Sequence, residues 1–224
     1  MKHLEAKKIE WFRCQLTTWS AENLRDFPWR RTRDPYPIFV AEFLLQKTNA
    51  ANVLPVWEAF LDRYSNLKTL ATAPVEEVAR IMQPLGLFFR AERLCQSAQL
   101  IEKNYGGKIP ATEAELLELP GVGIYTARSV CTHAFGQPVA VLDANVARIL
   151  ERFFGLKGTR VKSRCKLLWS AAERIAPDKE TSRWNLILLD FGAVACTARN
   201  PRCHECPLQE QCNFFNFSLR QKEQ

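Results

Sequence analysis

Leu119-Pro120-Gly121-Val122-Gly123-Ile124-Tyr125-Thr126-Ala127 is the stretch that decides how this chain is read. A short helical pattern, Glu113 to Leu119, runs into it, and a second resumes at Ile124 and continues through Arg128. Between them lie a proline and two glycines, residues that end one helix and permit a tight turn before the next. Two glycines just before a helix N-terminus let backbone N–H groups converge on an anion, helped by the helix dipole. On its own such a turn also fits a plain connector between helices. The continuation adds weight. Gly136-Gln137-Pro138 is followed by Val141-Leu142-Asp143-Ala144-Asn145-Val146, a Gly/Pro loop that delivers an acidic residue to the start of a new helix. Asp143 there fits a helix N-cap.

The same texture extends outward in both directions. Apolar residues recur at three- and four-residue spacing in Ile38, Val40, Ala41, Leu44 and Leu45, and again in Leu167, Leu168, Ala171, Ala172 and Ile175. Turn signals at Asp34-Pro35, Ala73-Pro74, Gln83-Pro84-Leu85-Gly86, Tyr105-Gly106-Gly107 and Ala176-Pro177-Asp178 separate these stretches. Val139-Ala140-Val141-Leu142 is the best candidate strand and is too short to found a sheet. The expected fold is therefore all-α, with roughly ten helices at the usual helix length.

Composition excludes several classes. Of 224 residues 47% are hydrophobic and 25% charged, the balance of a folded globular chain. No apolar run approaches the ~18 residues of a membrane span, and Met1-Lys2-His3-Leu4-Glu5 lacks the apolar stretch of a signal peptide. An intracellular protein, of the cytoplasm or nucleoid and without a membrane partner, is expected. Thirty-one Lys and Arg against 24 Asp and Glu give a net charge of +7, a modest pointer to a polyanion. Asn23 to Arg33 gathers Arg25, Arg30, Arg31 and Arg33 around Phe27, Pro28 and Trp29, either an anchored connector or a phosphate-facing edge.

Eight cysteines divide into two groups. Cys14, Cys95, Cys131 and Cys165 are scattered singly through amphipathic segments and read as small buried hydrophobes. Cys196, Cys203, Cys206 and Cys212 crowd together with spacing x6, x2 and x5. In a reducing compartment this reads as a metal site. Four thiolates suit zinc or an iron–sulfur cluster, and spacing alone does not separate them.

Taken together, the hairpin at 119–127, the Val141–Val146 element and the four cysteines resemble the helix-hairpin-helix (HhH-GPD) DNA glycosylases of the endonuclease III superfamily. The likeness covers residues 27–212, and the segment from Asp34-Pro35-Tyr36 to Thr48 resembles the adenine and mismatch branches. The resemblance implies a two-domain endonuclease III-like fold. Residues 24–135 would form a six-helix domain carrying the hairpin, and 1–23 with 136–224 a 4Fe-4S domain ligated by Cys196, Cys203, Cys206 and Cys212. It implies a monomer that binds double-stranded DNA, grips a phosphate through Gly121, Val122 and Gly123, and flips the target nucleotide into a pocket.

Roles follow from that resemblance. Asp143 would stabilise positive charge on the sugar or orient the attacking water. Glu42, desolvated, would donate a proton to the leaving base. Tyr125 stands where bifunctional relatives carry a Schiff-base Lys, which implies a monofunctional enzyme with little or no strand cleavage. Gln46 and Lys47 would wedge into the gap left by the flipped base, although a phosphate contact suits Lys47 nearly as well. Leu186 stands where adenine-specific relatives tend to carry Gln, and only 224 − 212 = 12 residues follow Cys212, too few for a domain that reads oxidised guanine. The expected activity is excision of thymine or uracil mispaired with guanine in base excision repair. The alternatives are an adenine glycosylase acting on A:G or A:8-oxoguanine, and a non-catalytic DNA-structure binder.

Overall fold

The computed structural model describes residues 4–86 and 88–222, and the side chains of 218–222 are not described. Met1, Lys2 and His3, part of the start examined for a signal peptide, lie outside the described residues. Among the described residues there are twelve α-helices and no strand, two more helices than the pattern of breaks implies because short turns of helix fill several connectors. None of the described helices is long and apolar enough to cross a membrane. In chain order they are α1 (Ala6–Asn23), α2 (Pro35–Leu44), α3 (Ala50–Arg63), α4 (Leu67–Ala71), α5 (Val75–Met82), α6 (Ala91–Tyr105), α7 (Glu113–Leu117), α8 (Ile124–His133), α9 (Ala144–Phe154), α10 (Lys166–Ile175), α11 (Thr181–Val194) and α12 (Asn213–Lys222). They divide into two compact units, 26–136 and 1–25 with 137–224.

The unit of residues 26–136 is built around α2. Asp34 accepts a hydrogen bond from Tyr36 N at 3.0 Å, and Pro35 supplies the first helical position. Tyr36 and every residue from Ile38 to Leu44, Glu42 among them, are buried, so neighbours cover α2 on nearly all sides. Helices α3 and α8 pack against it. In the preceding segment Phe27 and Trp29 stack at 4.8 Å, and Trp29 meets Trp57 of α3 edge-on. That segment is therefore an anchored connector at its aromatic positions.

The unit of 1–25 and 137–224 packs α1, α9, α10 and α11 around one apolar cluster. Phe12 touches Phe153 at 4.7 Å, Phe154 at 5.2 Å and Trp184 at 5.8 Å. Truncating such a ring costs about 3–5 kcal/mol. Arg13 donates to the carbonyls of Ile175 and Ala176, placing a cation at the C-terminal, partly negative end of α10.

Two expectations are corrected here. Cys14 is exposed, unlike Cys95, Cys131 and Cys165. The buried face of α1 is Ile9, Phe12, Leu16 and Ser20, and Cys14, two positions from both Phe12 and Leu16, points away from it. The arginines of 25–33 are also less available to phosphate than their number implies. Arg25 Nε and backbone N both donate to the fully buried Asp190, and Arg31 is paired with Asp26.

Candidate functional site

In the unit of 26–136 the hairpin, the end of α2 and residues 88–90 are tied together. Gln46 Nε2 donates to Gly121 O at 3.2 Å, Arg90 donates to Gln46 O at 2.7 Å, and Ser97 Oγ donates to Pro120 O at 2.8 Å. Lys47 follows with φ of 58°, a left-handed conformation that costs a non-glycine residue about 1–2 kcal/mol. The Arg90 bond to the preceding carbonyl helps hold it there. Gly121 has φ of 84°, and a Cβ on it would come within 3.0 Å of the Phe43 ring. Within the turn Val122 N donates to Leu119 O at 3.1 Å, so that amide is used internally. The amides of Gly121 and Gly123 have no backbone acceptor among the described residues, and they remain for an anion at the start of α8.

Glu42 is buried in α2, 6% exposed, and its Oε1 accepts from Ser129 Oγ of α8 at 2.8 Å. Ser129 lies one helical turn after Tyr125, so Tyr125 sits on the face of α8 that Ser129 presents to Glu42. Tyr125 is half-buried. Nothing in the sequence around Ser129 announces this partnership. Phe88 and Phe89 are each 58% exposed, and the Arg90 guanidinium lies 5.2 Å from the Phe89 ring. Two adjacent exposed aromatics held beside Gln46 are suited to stacking on bases. Their signal in the sequence is an aromatic pair two residues after Gly86 of the Pro84-Leu85-Gly86 break.

In the unit of 1–25 and 137–224, Asp143 caps α9. Its Oδ1 accepts from Val146 N at 2.7 Å, and its Oδ2 accepts from Asn145 Nδ2 at 2.7 Å. Burial pushes its carboxyl above the usual aspartate range, and these two hydrogen bonds oppose the rise. Asn145 in turn accepts from Arg148, which also donates to Gly192 O at 2.7 Å and Cys196 O at 2.8 Å. The orientation of the carboxylate is thus fixed, through two side chains, to the backbone of the first cysteine. Asn185 of α11 staples the approach to Asp143, accepting from Val141 N and donating to Val139 O. Leu186, the next residue, is half-buried.

Gly192 of α11 makes this arrangement possible. A Cβ there would lie 2.6 Å from Asn145 Cβ and 3.3 Å from its Cα, too close for either to remain. Gly192→Ala is expected to displace Asn145, release one arm of Asp143, and lower kcat by about 10-fold or more with little change in DNA affinity. Single-turnover kinetics and a binding titration on the same duplex check this.

Cys196, Cys203, Cys206 and Cys212 line one pocket together with Ile149, Phe153, Phe191 and Leu208. Burial and mutual repulsion raise the thiols of Cys203 and Cys212, and push Cys206 up to about 12. Four sulfurs facing one apolar pocket call for a cationic group to bind as thiolates. By chemistry alone four thiolates suit zinc or an iron–sulfur cluster equally. Arg152 secures the loop, donating to Thr197 O at 2.7 Å and to Cys196 Sγ at 3.5 Å.

Comparison with known proteins agrees with this geometry. Residues 40–174 match the HhH-GPD superfamily of base excision DNA repair proteins, and residues 196–212 match the iron–sulfur binding domain of endonuclease III. The chain is similar to the thymine-DNA glycosylase of Aeropyrum pernix, with 43% identity over 96% of this chain and 99% of that one. It is 32% identical to an adenine DNA glycosylase of Buchnera aphidicola over 88% of this chain but 56% of the relative. The solved structure of a thermostable thymine-DNA glycosylase superposes with a TM-score of 0.89 at 36% identity, covering 94% of this chain and 98% of that one.

Proposed function

The chain belongs to the HhH-GPD superfamily of base excision DNA repair proteins, and we propose that this DNA N-glycosylase removes thymine or uracil mispaired with guanine. The observation that carries the choice of base is the 43% identity with a thymine-DNA glycosylase, running almost the full length of both chains. The apolar Leu186 supports it, since a site without a hydrogen-bonding side chain there gives adenine no partner. The adenine reading has support from lower identities, such as 32% with the Buchnera aphidicola enzyme, of which this chain matches 56%. A binder without catalysis requires neither a buried Glu42 nor a carboxylate held as firmly as Asp143.

The protein acts as a monomer on double-stranded DNA in the cytoplasm or nucleoid. A phosphate is held by the amides of Gly121 and Gly123, while Val122 shapes the turn. Gln46 and Lys47 enter the gap left by the flipped nucleotide, with Phe88 and Phe89 stacking beside them. As the glycosidic bond lengthens, positive charge builds on the sugar. Asp143, ionised and held by Val146 and Asn145, stabilises that charge or orients the incoming water. Glu42 exchanges a proton with the departing base, steadied by Ser129. Tyr125 offers no amine, so the abasic product leaves without a covalent step. Cys196, Cys203, Cys206 and Cys212 would hold a 4Fe-4S cluster, which when bound supplies the cross-link that orders residues 196–212.

The test is a panel of duplexes carrying T:G, U:G, A:G and A:8-oxoguanine, incubated with the protein and then treated with alkali. Cleavage of T:G and U:G is expected, with no borohydride-trapped complex. Cleavage of the adenine duplexes alone, or trapping as strong as a Lys enzyme gives, contradicts the reading.

A further inference from the structure

The residues between α9 and α10 carry charge that none of the roles above uses. Residues 155–166 contain Lys157, Arg160, Lys162, Arg164 and Lys166 and no Asp or Glu. Twelve residues thus hold five of the seven surplus positive charges in the chain. Lys162 is half-buried and paired with Glu151 of α9. Lys157, Arg160, Arg164 and Lys166 are exposed, and among the described residues none of the four has an ion-pair partner. Arginines elsewhere are neutralised, Arg25 by Asp190, Arg63 by Glu77 and Arg128 by Glu113.

The segment is pinned rather than loose. Glu151 Oε1 accepts from Gly158 N at 3.0 Å as well as from Lys162, and Trp169 Nε1 donates to Ser163 O at 2.9 Å. Gly158 closes on α10, where a Cβ would meet Leu168 Cδ1 at 2.5 Å. Four uncompensated cations are therefore displayed on a fixed turn, at little ordering cost to a ligand. The turn has no aromatic side chain to stack on a base. Its chemistry suits a phosphate backbone without regard to sequence. It also lies at the opposite end of α9 from Asp143. Eleven residues at about 1.5 Å each put it about 17 Å away, or about five base pairs along a strand.

We propose that Lys157, Arg160, Arg164 and Lys166 form a second contact with the DNA backbone, on flanking duplex beyond the nucleotide being excised. This rests on the reading that duplex DNA is the substrate, but not on which base is removed. The contact adds affinity and salt dependence without entering the chemical step.

The experiment is equilibrium binding, across a salt series, of the parent and of a variant with Lys157→Gln, Arg160→Gln, Arg164→Gln and Lys166→Gln. Two undamaged duplexes serve as probes, one of about 30 base pairs and one a hairpin with a stem of about 6, which reaches only about three base pairs to either side of its centre and stops short of the loop. On the long duplex the parent is expected to show a steeper fall of log K with log salt than the variant, by about 3 to 4. The long-duplex affinity of the variant should fall at least tenfold at low salt, while its short-duplex affinity stays within about twofold. Equal slopes for parent and variant on the long duplex would overturn the proposal. So would an equal loss on both duplexes, which would place the loop at the excision site. Because the probes are undamaged, the outcome stands even if base removal fails on every mismatch.

Discussion

Asp143→Asn should abolish most turnover, lowering the single-turnover rate by about 10²–10³-fold while leaving affinity for an abasic duplex within a few-fold. The substitution keeps an oxygen to accept from Val146, so the cap of α9 survives. It loses the negative charge proposed to act on the sugar and faces Asn145 Nδ2 with a second amide. Because burial raises the Asp143 carboxyl, its ionised form is the one the fold disfavours. The stabilising contribution of this group is therefore complete below the ordinary aspartate range and is lost as pH rises through the raised value. At neutral pH the neutral Asn is expected to be no less stable than the parent, and a thermal melt checks this. The same shift predicts that the parent rate declines, as pH falls, above the usual aspartate value. A pH–rate profile reads that limb directly.

Glu42→Gln carries the second large expected effect. The carboxylate is 6% exposed in the most buried helix of its unit, and Ser129 holds one oxygen at 2.8 Å. Gln preserves volume and still accepts from Ser129, so folding should be unaffected. What it removes is the group proposed to exchange a proton with the departing base. A loss of about 10²–10⁴-fold in single-turnover rate is expected, with DNA binding unchanged. A rate within tenfold of the parent would mean that the base leaves without help from Glu42, and that the carboxylate serves only to pack α2 against α8. Comparing uracil with thymine duplexes gives an internal control, since both present the same carbonyl oxygens.

Helical periodicity, the turn at Asp34-Pro35, the Asp143 cap and the glycine hairpin were legible because each is a local pattern with a local cause. The cysteine spacing was legible as a metal site but not as a particular metal. That choice comes from the match of residues 196–212 to the iron–sulfur binding domain of endonuclease III. Long-range partnerships were not legible. Asp190 sits 165 residues from Arg25, and nothing near either residue marks them as a pair. The Asn145–Arg148–Cys196 connection is partly local and partly spans 48 residues. Cys14 reads as buried because it lies singly in an amphipathic segment, but the face it occupies depends on where α1 packs. The basic residues of 155–166 follow no motif. They became visible only once other arginines were seen to be neutralised.

The most direct test of the central claim is to identify the free base. The protein is incubated with T:G, U:G and A:G duplexes, and the small-molecule fraction is analysed by mass spectrometry. Free thymine and uracil, released by the parent and not by Asp143→Asn, with the sugar–phosphate strand intact, are the predicted result. Release of adenine alone, or of thymine and uracil by Asp143→Asn at the parent rate, would contradict it.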